Sequence, residues 1–246
     1  MSLIELYKTE EISTCIMCGD ELELLPNPVN TMCDYCGRKT NISHECRSSH
    51  YICDLCYHLS AHDLISETCL KYAGIDPIEL AIQIMNSPVI KMHGSEHHFI
   101  VPAVLLTCAY NLKGLRHRLE DNLGLIYERT KSETSTYCTF KAGTCGAAFG
   151  AGVFLSVFND RTAYSEDEWS EANHIISESL KRVAASPGPR CCKRDTYLTI
   201  LASIDFLKEK YSLELPISNP KCTFSLRNKN CGREECEFYN LSNTLV

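Results

Sequence analysis

Apolar and polar positions follow two different rhythms along this chain, and the change falls near residue 60. Over residues 1–60 apolar residues are scattered, with two prolines and seven cysteines among them and no run long enough to build a core. From His62 onward the rhythm becomes helical. Leu64, Ile65, Thr68 and Cys69 keep one face apolar until Gly74, and Asp76-Pro77 then offers an N-cap with proline at the first helical position, opening a helix to about Ser87. An apolar helix is predicted from about Phe99 to Leu112, with Pro102 near its first turn, where a missing N–H costs little. A more exposed helix follows over Arg116 to Lys131.

Residues 143–158 begin as a glycine-rich turn and continue as an apolar helix, whose small residues let another backbone approach closely at the centre of the domain. Ser165-Glu-Asp-Glu168 reads as a capping box opening a helix to about Ala185, ended by Ser186-Pro-Gly-Pro189. Asp195 to Tyr211 forms the last long helix, with Tyr197, Ile200, Leu201, Ile204 and Leu207 at core spacing. The remainder to Val246 is a cysteine-bearing tail of little periodicity. The predicted fold class is therefore mostly α: a helical domain over 61–246, preceded by a small module over 1–60.

Composition changes this picture at one point, the sulfur. Sixteen of 246 residues are cysteine. A chain of this length can bury a hydrophobic core without disulfides. Its start carries Glu5, Glu10 and Glu11 early and reads as no secretory leader, so the expected compartment is the reducing cytoplasm, where thiols bind metal or do chemistry. The longest apolar stretches, Phe99 to Tyr110 and Ala147 to Phe158, have 12 residues each, too few to span a bilayer. A net charge of −7 without a basic stripe argues against nucleic acid.

Cys15-x2-Cys18 and Cys33-x2-Cys36, 14 residues apart, have zinc-ribbon spacing: two cysteines with two residues between them reach two corners of a tetrahedron from one tight turn. Cys46, His50, Cys53 and Cys56 supply a second set of four. Two zinc ions are expected, in consecutive or in cross-braced sites, in a zinc-ribbon, treble-clef or RING-like module. Such sites are closed and structural. With nine acidic residues against four basic, the module suits a protein partner or a substrate-delivering lid.

In the helical domain His93-Gly-Ser-Glu96-His97 matches the inverted zinc-protease order, and His98 adds a third imidazole. Gly94 and Ser95 look like a loop entering a helix, so these groups suit orienting a substrate carboxylate or moving a proton better than proteolysis. Cys145 follows Gly143 and precedes Gly146 at a helix start, where backbone N–H groups favour an anion, a ligand or a nucleophilic thiolate. Arg190, Lys193 and Arg194 flank Cys191 and Cys192 and suit an anionic substrate. With Cys222, Cys231 and Cys236 the paired cysteines could hold zinc or a [4Fe-4S] cluster, whose open iron would polarise a hydroxyl or accept sulfide. Cys69, Cys108 and Cys138 read as packing residues.

These motifs together resemble a family of uncharacterised cysteine-rich domains from anaerobic bacteria and archaea. In it a start ending like Cys46-x3-His50-Tyr-Ile-Cys53-Asp-Leu-Cys56 precedes H-G-x-E-H-H, G-x-C-G-A-A and R-C-C-K-R segments and a cysteine tail. The resemblance covers nearly the whole chain and implies no activity; the family often has proline where Ser95 stands here. Gly143 to Gly152 and Val101 to Leu105 are also similar to short stretches of iron–sulfur serine dehydratases and cysteine desulfidases. The expected function is a metal- or iron–sulfur-dependent enzyme, a lyase or sulfur-handling enzyme acting on a small anionic thiol or hydroxy acid. The rivals are a zinc-stabilised adaptor and a thiol-based metal or redox sensor.

Overall fold

In the computed structural model, residues 21–34, 37–53, 60–87, 89–131, 143–160, 166–186 and 188–240 are described, those of 166–168 for their backbone only. The chain divides into two compact units, Met1–Leu59 and Ser60–Val246. The first contains an antiparallel hairpin of β1 (Leu22–Met32) and β2 (Lys39–Cys46). Its register pairs Leu24 with His44 but Val29 with Ile42, an irregularity that spans Pro26 and Pro28. Neither proline has an N–H to give to the ladder, so the strand bulges where they sit. A small buried pair, Cys33 and Cys53, packs with Tyr51 and Ile52.

Seven α-helices are described, all in the second unit: α1 (Ala61–Lys71), α2 (Pro77–Met85), α3 (Glu96–Lys113), α4 (Leu119–Lys131), α5 (Gly146–Phe158), α6 (Glu166–Ala185) and α7 (Cys192–Tyr211). The expected cap of α2 forms, with Asp76 Oδ1 accepting from the N–H groups of Ile78 and Glu79. Its Oδ2 accepts from Ser218 N at 2.7 Å and so also ties down the tail. Ser165, the expected cap of α6, lies outside the described residues, as does Cys138. Cys69 and Cys108 are core residues, and burial pushes the Cys69 thiol up to about 12. No helix among the described residues is long and apolar enough to cross a membrane.

The unit is built around α3, which is buried without interruption from His97 to Tyr110 and packs against α1, α2, α4, α5 and α7. A helix without a polar face belongs inside. It starts at Glu96, three residues earlier than its sequence pattern suggests, so Pro102 lies within the helix and not in its first turn. Without an N–H on Pro102, the His98 carbonyl has no partner four residues on. Gly150 of α5 seats at this spot: a Cβ there would lie 2.8 Å from both His98 O and Pro102 Cδ. The small residues of α5 thus do permit a close crossing, as expected.

The helix α7 also starts earlier than its sequence pattern suggests. It begins at Cys192, not Asp195, and draws Lys193, Arg194 and Asp195 into the buried first turn. After Ser212 the tail returns over the start of this helix through two 3-10 turns, Ser225–Arg227 and Arg233–Glu235. Phe224 and Phe238 are its buried anchors, the latter edge-on to Tyr197 with ring centroids 5.3 Å apart.

Candidate functional site

The start of α3, the start of α5 and the start of α7 supply most of the residues singled out from the sequence. His97 is fully buried, and its Nδ1 lies 3.2 Å from Gly94 O. A carbonyl only accepts, so Nδ1 carries the proton and Nε2 keeps a lone pair. That Nε2 is buried and has no hydrogen-bond partner, and the same holds for His98 Nδ1, His93 Nδ1 and Glu96 Oε2. Buried polar atoms without partners are few in native proteins, and four from one short segment point to a group that binds them. Two glycines make the arrangement possible. The Glu96 carboxylate folds back over Gly94, where a Cβ would lie 1.7 Å from Oε2, and the His98 ring lies against Gly146, where a Cβ would lie 2.3 Å from Nε2.

Burial, followed by the charge of Lys193, holds the His97 pKa well below the usual imidazole value; the Gly94 carbonyl opposes this, and His98 and His93 reinforce it. His93 is lowered in the same sense by burial and then by Arg190. The unfolded chain therefore takes up protons at these positions as pH falls through about 6.5, while the folded chain does not. Stability should fall below that pH, by up to about 1.4 kcal/mol per pH unit for His97. Urea midpoints at pH 7.5 and 5.5 check this, and His97→Gln should reduce the difference between them.

The three cations differ in their partners. Lys193 is buried, donates to Met85 O at 2.9 Å and Ile90 O at 3.1 Å, and has its ammonium 4.6 Å from the Phe224 ring centroid. Its donors are engaged in holding α2 and the tail to α7, and burial lowers its pKa to about 7. Arg194 is buried against Asp195, with Nε 3.2 Å from Oδ1. Arg190 reaches toward Cys192 Sγ at 3.5 Å and lies close enough to His93 to affect its charge. Cys145 precedes α5 without capping it, and its thiol points to Asp195 Oδ2 at 4.0 Å. Gly143 is exposed, and its φ of 70° makes it a turn residue; nothing lies within 4 Å of where its Cβ would be.

The paired cysteines part company. Cys192 lies with Arg190 and the Gly94 backbone, beside the histidines. Cys191 instead joins Cys222, Cys231 and Cys236 in the wall of a cavity of about 20 Å³, with Arg194, Tyr197 and Asn228. Burial outweighs the neighbouring charges at three of these sulfurs. It pushes Cys191 up to about 11 and raises Cys192 and Cys222. Among the described residues no three His, Cys, Asp or Glu side chains are grouped closely enough to hold a metal ion.

In the amino-terminal unit the Cys53 N–H donates to Cys33 Sγ at 3.3 Å, and Cys46 Sγ lies 3.8 Å from His50 Nδ1. Cys15, Cys18, Cys36 and Cys56 lie outside the described residues. Sequence reasoning missed three residues of the helical unit: Asp195, Tyr197 as more than a core residue, and Asn228, whose amide points to Cys191 Sγ at 3.8 Å and which also bonds His93. Only the position of Asp195 beside Arg194 offered a signal.

Comparison with curated proteins and with solved structures gave no match. A family of unknown function, DUF5714, matches residues 65–239, a span that includes the histidine segment, α5, α7 and the tail thiols and leaves out the amino-terminal cysteines. That span is well over half of the chain, which therefore belongs to the DUF5714 family.

Proposed function

We propose that this is a metal-binding enzyme of the lyase or sulfur-handling type, whose helical unit acts on a small anionic thiol or hydroxy acid. The observation that carries this reading is His97: a fully buried, neutral imidazole with its Nδ1 proton fixed by Gly94 O and an unpartnered Nε2. An acceptor nitrogen in that state accepts a hydrogen bond from the substrate, and a bound anion that offsets the Lys193 charge would raise its basicity toward that of a general base. It would take the proton of the substrate thiol or hydroxyl, with the Arg190 guanidinium facing the substrate carboxylate and Glu96 Oε2 the next acceptor for the proton. The His98 imidazole, seated against Gly146 at the start of α5, would orient the substrate.

In the amino-terminal unit the pairing of Cys33 with Cys53, and of Cys46 with His50, supports zinc ligands interleaved along the chain over consecutive sets. A protein partner would find its docking surface on this acidic unit.

Calorimetry of the full chain with mercaptoacetate and glycolate, the smallest thiol and hydroxy acids, tests the reading. Binding of at least one is expected, weakened about 10- to 100-fold in His97→Gln, as befits loss of a buried hydrogen bond to a charged group worth about 1.5–3 kcal/mol. Absence of binding, or binding unchanged in both His97→Gln and Arg190→Leu, would overturn it.

A further inference from the structure

The second polar concentration in the helical unit lies on the other side of the Cys191-Cys192 pair. Four thiols reach the wall of one cavity from four separate points of the backbone: Cys191 just before α7, Cys222 and Cys231 before and between the two 3-10 turns, and Cys236 after the second. Two of them receive an N–H from two residues further on, Phe224 N to Cys222 Sγ at 3.3 Å and Arg233 N to Cys231 Sγ at 3.4 Å. A third, Cys191, faces the Asn228 amide. Donors aimed at sulfur favour the anionic form, the form that ligates metal. Independently, the Tyr197 hydroxyl on the same wall is only 1% exposed and has no hydrogen-bond partner. A buried O–H left this way lacks an acceptor that the site has yet to supply.

The space decides what could enter. A cavity of about 20 Å³ takes one water-sized body, since a single water needs roughly 10–15 Å³ by this measure. A four-iron, four-sulfide cluster needs several times as much. We propose that Cys191, Cys222, Cys231 and Cys236 together hold one divalent metal ion, and that zinc, which takes four thiolates in a tetrahedron, is the ion the set suits. Four thiols give up four protons to the solvent and bind the dication as a site of net charge −2, beside the buried Arg194 and with the Tyr197 hydroxyl as a donor to sulfur. The sulfurs line the wall without yet meeting at one point, so they must close inward on the ion. Cys192, on the histidine side, is no ligand.

Four thiolates leave no open position, so this centre is structural: it fastens the tail over the first turn of α7. It stands independently of the chemistry proposed for the histidines. The test is metal analysis of the full chain, purified anaerobically, together with absorption spectra after cobalt(II) substitution. Relative to the parent chain, the double variant Cys231→Ser/Cys236→Ser is expected to lose one metal per chain, while Cys192→Ser loses none. Cys236→His, which keeps a ligand at that corner, should retain the metal and lose part of the thiolate-to-cobalt charge-transfer intensity; this holds the proposal to account if the double variant fails to fold. Unchanged metal content in the double variant, an unchanged cobalt spectrum in Cys236→His, loss of the metal in Cys192→Ser, or iron and sulfide bound by these cysteines would each overturn it.

Discussion

Phe224→Ala is expected to lower the stability of the helical unit by about 3–5 kcal/mol, the usual range for removing a buried phenylalanine. The side chain is fully buried, and the site cannot easily collapse around the space it would leave. One face of the ring meets the ammonium of Lys193, 4.6 Å from its centroid, and the guanidinium of Arg227 lies at 5.2 Å. Removing the ring takes away apolar burial and also the cation–π partner of a lysine that has no water to turn to. Far-UV circular dichroism in urea, dominated by the helices, follows this unit. Leu226→Ala, two residues on and 72% exposed, is the control and should shift stability by less than about 0.5 kcal/mol.

Gly150→Ala should be the next most costly change, at about 1–3 kcal/mol, because the added methyl would meet a carbonyl oxygen and a proline ring, neither of which can swing aside. Gly152→Ala on the same helix places its methyl 2.4 Å from Ile176 Cδ1, the end of a side chain that can change rotamer, with the nearest backbone atom, Ala172 O, further off at 3.2 Å, and is expected to cost less. Urea midpoints for the two variants give the comparison directly. Equal losses would mean that α3 and α5 adjust their spacing as rigid bodies, and that the broken hydrogen-bond ladder at Pro102 has no special hold on Gly150.

The helices of the second unit were legible because each depends on local signals. Asp76-Pro77 is an N-cap and a first-turn proline wherever it occurs, and the spacing of Ile200, Leu201, Ile204 and Leu207 marks a core face without reference to any partner. The start of α7 was not legible. Charged residues in a row read as a loop in water, and the groups that let Lys193 and Arg194 be buried are not adjacent in pattern: the Met85 and Ile90 carbonyls, the Phe224 ring of the tail and the Asp195 carboxylate. The histidine segment stood out in the sequence by its composition, whereas the state of His97 follows from one carbonyl, Gly94 O, that no pattern specifies. The tail cysteines were legible as a set. Which member of the Cys191-Cys192 pair belongs with them depends on the direction each side chain leaves the helix start. Tyr197 was assigned to the core by its spacing, and its hydroxyl gave no signal in the sequence.

Asp76 gives this architecture an order in time. Its Oδ1 closes turns of two and three residues, whereas its Oδ2 closes a loop of 142 residues to Ser218. Chain entropy makes the short closures cheap and the long one expensive until other contacts have brought the ends together. One carboxylate therefore takes part in one of the first events of folding and in one of the last.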